Sequence, residues 1–267
     1  MCVLIILMLQ SSYYQVDGKK AIILGGTGLV GSLVLDRLLE DPEFDAVHLV
    51  VRRASRRRRS SKIHEIVVPD LRSMASHPSM LALAEEGSVD AAVVTLGVNE
   101  PFGWKLRKLY DVEVGITSAF AQFCRQSLNV PYIGVMTMEG TERVALTEEE
   151  LETVVTWMNI FMLAPKVKGA VEEGVLRAGI PRVSFFRPAN FETDEYRFGW
   201  MDFFLQWTCT LFNPFIPSGY HSVHVKDIAR AMYEDATGEG NSGESVIRYD
   251  GIMRLSREAA KKAKTEL

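Results

Sequence analysis

The residues best suited to do chemistry are a set of glycines with one threonine, and a pair of arginines. Gly25, Gly28 and Gly31 stand three apart in the run Gly25-Gly26-Thr27-Gly28-Leu29-Val30-Gly31. From Gly26 onward the same run also reads G-x-G-x-x-G. Glycines so spaced permit a tight turn and a close approach of backbone to a pyrophosphate. A helix opening just after them would add free N–H groups and the positive end of its dipole. Gly25, Thr27, Gly28, Leu29 and Val30 are therefore the candidate dinucleotide contacts, with a purely structural turn as the plainer alternative. Arg52-Arg53 follows some twenty residues on, where NAD-binding folds carry an acidic residue for the ribose 2′-hydroxyl. Arginine there suits the 2′-phosphate of NADP instead, so NADPH is the expected cofactor. The basic run Arg56-Arg57-Arg58-Arg59 beyond it reads as a solvated loop or as reinforcement of that phosphate site.

These residues need elements to hold them. Ala21-Ile22-Ile23-Leu24 is a short apolar run, long enough for a buried strand and too short for a helix. Leu29, Val30, Leu33, Val34, Leu38 and Leu39 then recur at helical spacing. Further strands are expected at 46–51, 63–68, 90–96, 132–137 and 182–186, with helices at 104–127 and 165–178. This β-α-β-α rhythm predicts an α/β fold, a doubly wound parallel Rossmann sheet with ligand at the carboxyl ends of its strands. Two of those ends supply more candidates. In Pro69-Asp70-Leu71, Asp70 and Leu71 could meet an adenine, or Asp70 could cap a helix. At Thr95-Leu96-Gly97-Val98-Asn99 the backbone of Leu96, Gly97 and Val98 can pass close to the cofactor. With no repeat or low-complexity linker, the chain reads as an extension (1–19), one Rossmann domain (20–250) and a helix or tail (251–267). A small substrate lobe is expected at about 190–225.

The chain has 267 residues, 47% of them hydrophobic, enough for a large core. Its net charge of −4 argues against nucleic acid as a partner. Cys2, Cys124 and Cys209 form no metal or disulfide pattern, which suits a reducing compartment. The apolar start Met1 to Leu9 is too short to span a bilayer and lacks a basic n-region, so a loose tail or extra edge strand is expected there. No transmembrane segment is expected. A cytoplasmic location follows, with mitochondrial association left open.

Several further pieces agree with the glycine run: Val50-Val51-Arg52-Arg53, Thr95-Leu96-Gly97, Lys168-Gly169 with Glu172, Phe186-Arg187-Pro188, and His221-Ser222-Val223. Together, over about 20–236, they resemble the atypical or extended short-chain dehydrogenases/reductases, in particular the HIV-Tat-interacting oxidoreductase-like group. The resemblance implies NADPH and a Tyr-x-x-x-Lys pair beside a Ser or Thr. In such a site the tyrosine gives the proton, helped by the lysine ammonium, while the hydroxyl residue holds the carbonyl. Lys168 matches the lysine and Thr137 is the direct candidate for the hydroxyl, which makes these two the catalytic expectations. Four residues before Lys168, however, stands Ala164. Without a phenol there, the chemistry should lose roughly 10²–10⁴ in rate unless Tyr110, Tyr132 or Tyr196 reaches in. Lys168 could still bind the nicotinamide ribose, and Pro188 and Asn190 should line the nicotinamide end.

The segment Trp200 to Phe215 is strongly apolar: a core helix, a lid over an apolar substrate, a dimer or protein-partner face, or a membrane-surface contact. No metal site is expected, since His221 and His224 would face opposite ways on a strand. Two readings result: an NADPH-dependent oxidoreductase acting on a small apolar carbonyl-type substrate, or a catalytically degenerate NADPH-binding regulatory or structural protein. A sugar-nucleotide epimerase or dehydratase would call on the same missing tyrosine.

Overall fold

The computed structural model describes residues 18–55, 60–98, 101–193 and 217–265. β1 (Lys19–Leu24), α1 (Leu29–Glu40), β2 (Phe44–Val51) and β3 (Ile63–Val67) open the fold. A 3-10 turn (Leu71–Ser76), α2 (Pro78–Glu85) and β4 (Ala91–Val94) follow. Next comes a long helical stretch in three joined pieces: α3 (Leu106–Tyr110), a π-helical turn (Asp111–Gly115) and α4 (Ile116–Ser127). β5 (Tyr132–Met136), α5 (Glu148–Glu152), α6 (Ile160–Leu176) and β6 (Arg182–Phe186) complete the central part. The chain ends with β7 (Asn190–Glu192), β8 (Ser222–His224), α7 (Val225–Thr237), β9 (Gly243–Ile247) and α8 (Tyr249–Thr265).

Seven strands make one sheet in the order β3-β2-β1-β4-β5-β6-β9, and all its pairings are parallel. The chain turns back at β1 and β4, the switch point at which such sheets bind ligands. β1 explains why helices must cover both faces. Its residues Ala21 to Leu24 are at most 1% exposed. Ile22 and Leu24 enter one core with Phe120, Leu163 and Val171. Ala21 and Ile23 enter the other with Val34, Leu38, Ile228 and Met232. Alternate side chains of a strand point to opposite faces, so a wholly apolar strand needs two packed layers. The doubly wound α/β fold is thus the one the periodicity predicts.

Three elements differ from expectation. β9 has no counterpart in the sequence reading, because Gly243-Glu244-Ser245-Val246 lies exposed at the sheet edge and carries no apolar run. α6 begins at Ile160 rather than at Pro165, so the proline stands inside the helix. The helix expected at 104–127 is interrupted by the π turn. α7 is capped at its start by His224, whose Nδ1 accepts the Lys226 N–H at 3.1 Å. Asp227, one turn in, accepts the Ser256 hydroxyl at 2.6 Å and so ties α7 to α8. Within the expected substrate lobe, β7 and β8 form a separate parallel pair. The Trp200–Phe215 segment, the Arg56–Arg59 run, Asn99, Tyr196 and the start of the chain lie outside the described residues. Among the described residues no helix is long and apolar enough to cross a membrane.

Candidate functional site

The glycine turn occupies the carboxyl end of β1, and its shape depends on two missing side chains. Gly25 sits at φ +93°, and a Cβ there would lie 2.7 Å from the Thr95 carbonyl carbon and 2.8 Å from the Leu96 nitrogen. A Cβ at Gly31 would lie 2.4 Å from the Gly25 oxygen and 2.3 Å from Thr95 Oγ1. The turn is fastened by the Gly28 N–H on the Gly25 carbonyl at 2.9 Å and by the Thr95 hydroxyl donating to that same carbonyl at 3.1 Å. Gly28 caps α1 without a side-chain acceptor, and the first turn of α1 has no acidic residue. The first N–H groups of that helix therefore keep their free valence and positive dipole end, an arrangement that fits an anionic phosphate.

From Gly28, Leu29 and Val30 a cavity of about 550 Å³ extends past the ends of β4, β5 and β6. Leu96, Gly97 and Val98 line it from β4, Met136 to Met138 from β5, and Pro188 and Ala189 from β6. Phe102, Leu109, Ile160, Val167 and Phe191 make much of the remaining wall apolar. Beyond its rim Phe102 stacks on Trp157 with ring centroids 4.1 Å apart. The adjoining surface stays apolar: Met158, Phe161 and Met162 are 91%, 76% and 73% exposed.

Two charged side chains line this cavity. Lys168, on α6, directs its Nζ to Glu113 Oε2 at 2.8 Å, and the two side chains are only 16% and 8% exposed. The second carboxylate oxygen, Oε1, accepts the Val98 N–H at 2.9 Å. Glu113 belongs to the π turn, and such insertions recur at functional sites. Sequence reasoning missed it. The signal was a carboxylate in register with Leu106, Leu109, Ile116 and Phe120, on the face of the helix that should have been wholly apolar.

Beside the cavity lies a second charged cluster. Glu172 is fully buried and accepts from Arg187 at 2.8 and 2.5 Å, from Arg143 at 2.7 Å and from the Thr137 hydroxyl at 3.0 Å. Arg143 also binds Glu244 on β9, and the two carboxylates hold its guanidinium above the usual arginine range. Thr137 lines the cavity, yet its one hydroxyl proton is given to Glu172. This geometry does not favour the substrate-polarising role expected of Thr137.

The other expected residues divide. Ala164 lines the cavity one turn before Lys168, and among the described residues no tyrosine does. Tyr132 is buried elsewhere, donating to Asp235 at 2.7 Å, and burial followed by that carboxylate pushes its phenol well above the ordinary range. Tyr110 packs against the core. Thr27 is exposed in the turn. Asp70 caps the 3-10 turn by accepting the Arg72 N–H at 3.2 Å, and Arg72 also holds its carboxylate through two side-chain bonds of 2.9 Å. That pairing lowers the Asp70 pKa below the usual carboxylate range. Leu71 is buried in the core, and Asn190 is exposed on β7, so neither joins the cavity wall. Arg52 and Arg53 are exposed at the end of β2, with no ion pair among the described residues.

No protein-family model and no curated protein matches the chain. Solved structures do. UDP-N-acetylglucosamine 4-epimerase from Bacillus cereus is 18% identical, covering 86% of this chain and 79% of that one, with a TM-score of 0.56. WbmH of Bordetella bronchiseptica in complex with NAD+ is 18% identical over 93% of this chain and 83% of that one, at 0.57. WbmG of the same organism, in complex with NAD, is 13% identical over 94% and 80%, at 0.59. These likenesses establish a shared Rossmann-type fold.

Proposed function

We propose that this protein is a nicotinamide-dinucleotide-dependent oxidoreductase of the atypical short-chain dehydrogenase/reductase type, preferring NADP(H) and acting on an apolar carbonyl compound. The observation that carries the reading is the continuity of the site: a glycine turn and open helix N-terminus pass directly into a cavity holding Lys168. The NAD-bound state of WbmH and WbmG supports the cofactor class. The finer likeness to the HIV-Tat-interacting oxidoreductase-like group, and the two exposed arginines ending β2, support NADPH over NADH.

Each residue then has a task. Gly25, Gly28 and the first N–H groups of α1 would take the pyrophosphate; Arg52 and Arg53 would take the 2′-phosphate. Lys168 would hold the nicotinamide ribose hydroxyls, and Pro188 would close over the nicotinamide end. A bound reduced nicotinamide supplies a hydride. Phe102, Ile160 and Phe191 exclude water around an apolar substrate.

Ala164 and the engagement of Thr137 with Glu172 favour a second reading, a nucleotide-binding regulatory protein with little turnover. Calorimetric titration with NADPH and NADH, followed by apolar aldehydes, ketones and quinones added to the complex, separates the two. Preferential NADPH binding with consumption of NADPH is the expected result. Binding without turnover across the panel would favour the regulatory protein, and no binding of either nucleotide would sink both.

A further inference from the structure

We propose that Glu113 sets which oxidation state of the nicotinamide this site accepts, by cancelling the charge of Lys168. The proposal rests on the nucleotide reading above and is independent of whether turnover survives. Its starting point is the order of the sheet. Arg52 and Arg53 end β2 on one side of β1, while the Glu113–Lys168 pair adjoins the end of β4 on the other. A dinucleotide with its phosphorylated ribose at β2 and its pyrophosphate on the glycine turn directs its nicotinamide half toward that pair.

The oxidised nicotinamide ring carries one positive charge and the reduced ring carries none. An unpaired ammonium in this mostly apolar wall would therefore select the reduced nucleotide, because like charges repel far more strongly there than in water. Lys168 is not unpaired. Glu113 holds its Nζ at 2.8 Å and is itself fixed by the Val98 N–H at 2.9 Å. Glu113 lies in the π turn, buried on the face it shares with Leu109 and Ile116, so its carboxylate is part of the wall. The pair is neutral as a unit, and a neutral wall accepts both NADP+ and NADPH.

The test is the ratio of the Kd values for NADP+ and NADPH, measured by calorimetry on the full chain. Wild type, Glu113→Gln, Lys168→Met and the double variant are compared, with thermal unfolding of each nucleotide-free protein as the check on folding. Glu113→Gln should shift the ratio toward NADPH by at least about tenfold. Lys168→Met should shift it the opposite way, toward NADP+, and the double variant should return near wild type. A purely structural role for Glu113 would weaken both nucleotides together, and an unchanged ratio would overturn the proposal. So would shifts of the same sign in the two single variants. If Glu113→Gln fails to fold, the direction of the Lys168→Met shift decides alone. Wild-type protein that binds neither nucleotide would instead overturn the cofactor reading on which the proposal stands.

Discussion

A methyl group added at position 31 would have to share space with the Gly25 oxygen and Thr95 Oγ1, both under 2.5 Å from it. Neither is the loose end of a long side chain, so the turn itself must move. Gly31→Ala should cost about 2 kcal/mol and abolish nucleotide binding, read from a urea midpoint and a calorimetric titration. At Gly28 the added Cβ would meet one backbone oxygen at 3.2 Å, so Gly28→Ala should be much milder; equal damage at the two positions would refute the steric account. Glu172 poses the opposite problem, a buried charge that its neighbours require. Glu172→Gln keeps the size but leaves Arg187 and Arg143 under-neutralised, and breaking such a buried pair should cost about 3 kcal/mol. A variant as stable as wild type would show that this network does not stabilise the fold.

α6 carries Lys168 and Ala164, and its beginning could not be read from the residues alone. Proline lacks an N–H and restricts its predecessor, so a helix is expected to start there. The helix instead runs through Pro165 from Ile160, with Phe161 and Met162 turned to solvent and Leu163 to the core. The hydrogen bond that position 165 would give the Phe161 carbonyl is missing, which water can offset at so exposed a turn. Pro165→Ala restores the donor and should raise stability by about 1 kcal/mol, read as a shift of the denaturation midpoint with unchanged nucleotide affinity. A loss of stability would mean that the ring itself fixes the entry of the helix. The site shows a similar division. The glycine turn was legible because its motif, its strand and its helix are contiguous. Glu113 was not, because a single carboxylate on an otherwise apolar helix face forms no motif, although its spacing from Leu106, Leu109, Ile116 and Phe120 already turns it inward. β9 escaped because its strand is held at the edge by parallel pairing to β6 and not by an apolar pattern.

At the scale of the whole molecule, two cores share one sheet, and a polar side chain trapped inside links global stability to pH. His48, on β2, is 3% exposed and lies opposite His64 on β3, with ring centroids 5.3 Å apart. Its Nε2 is buried without a partner among the described residues. Burial, reinforced by the neighbouring His64, lowers its pKa from 6.5 to about 4. Between those values the unfolded chain binds a proton that the folded chain refuses, so stability rises with pH across this window. Acidification from pH 6.5 to 4 should therefore remove on the order of 3 kcal/mol through this one group, with nothing further lost to it below pH 4. Other buried groups titrate too, so the decisive quantity is a difference. Urea midpoints of wild type and His48→Leu, taken at several pH values from 7.5 to 4.5, should change in relative position steadily in favour of the leucine variant as the pH falls, since that variant lacks this proton uptake. Two curves that decline in parallel would mean that His48 is protonated in the folded state at little cost, and that the space between β2 and β3 admits water.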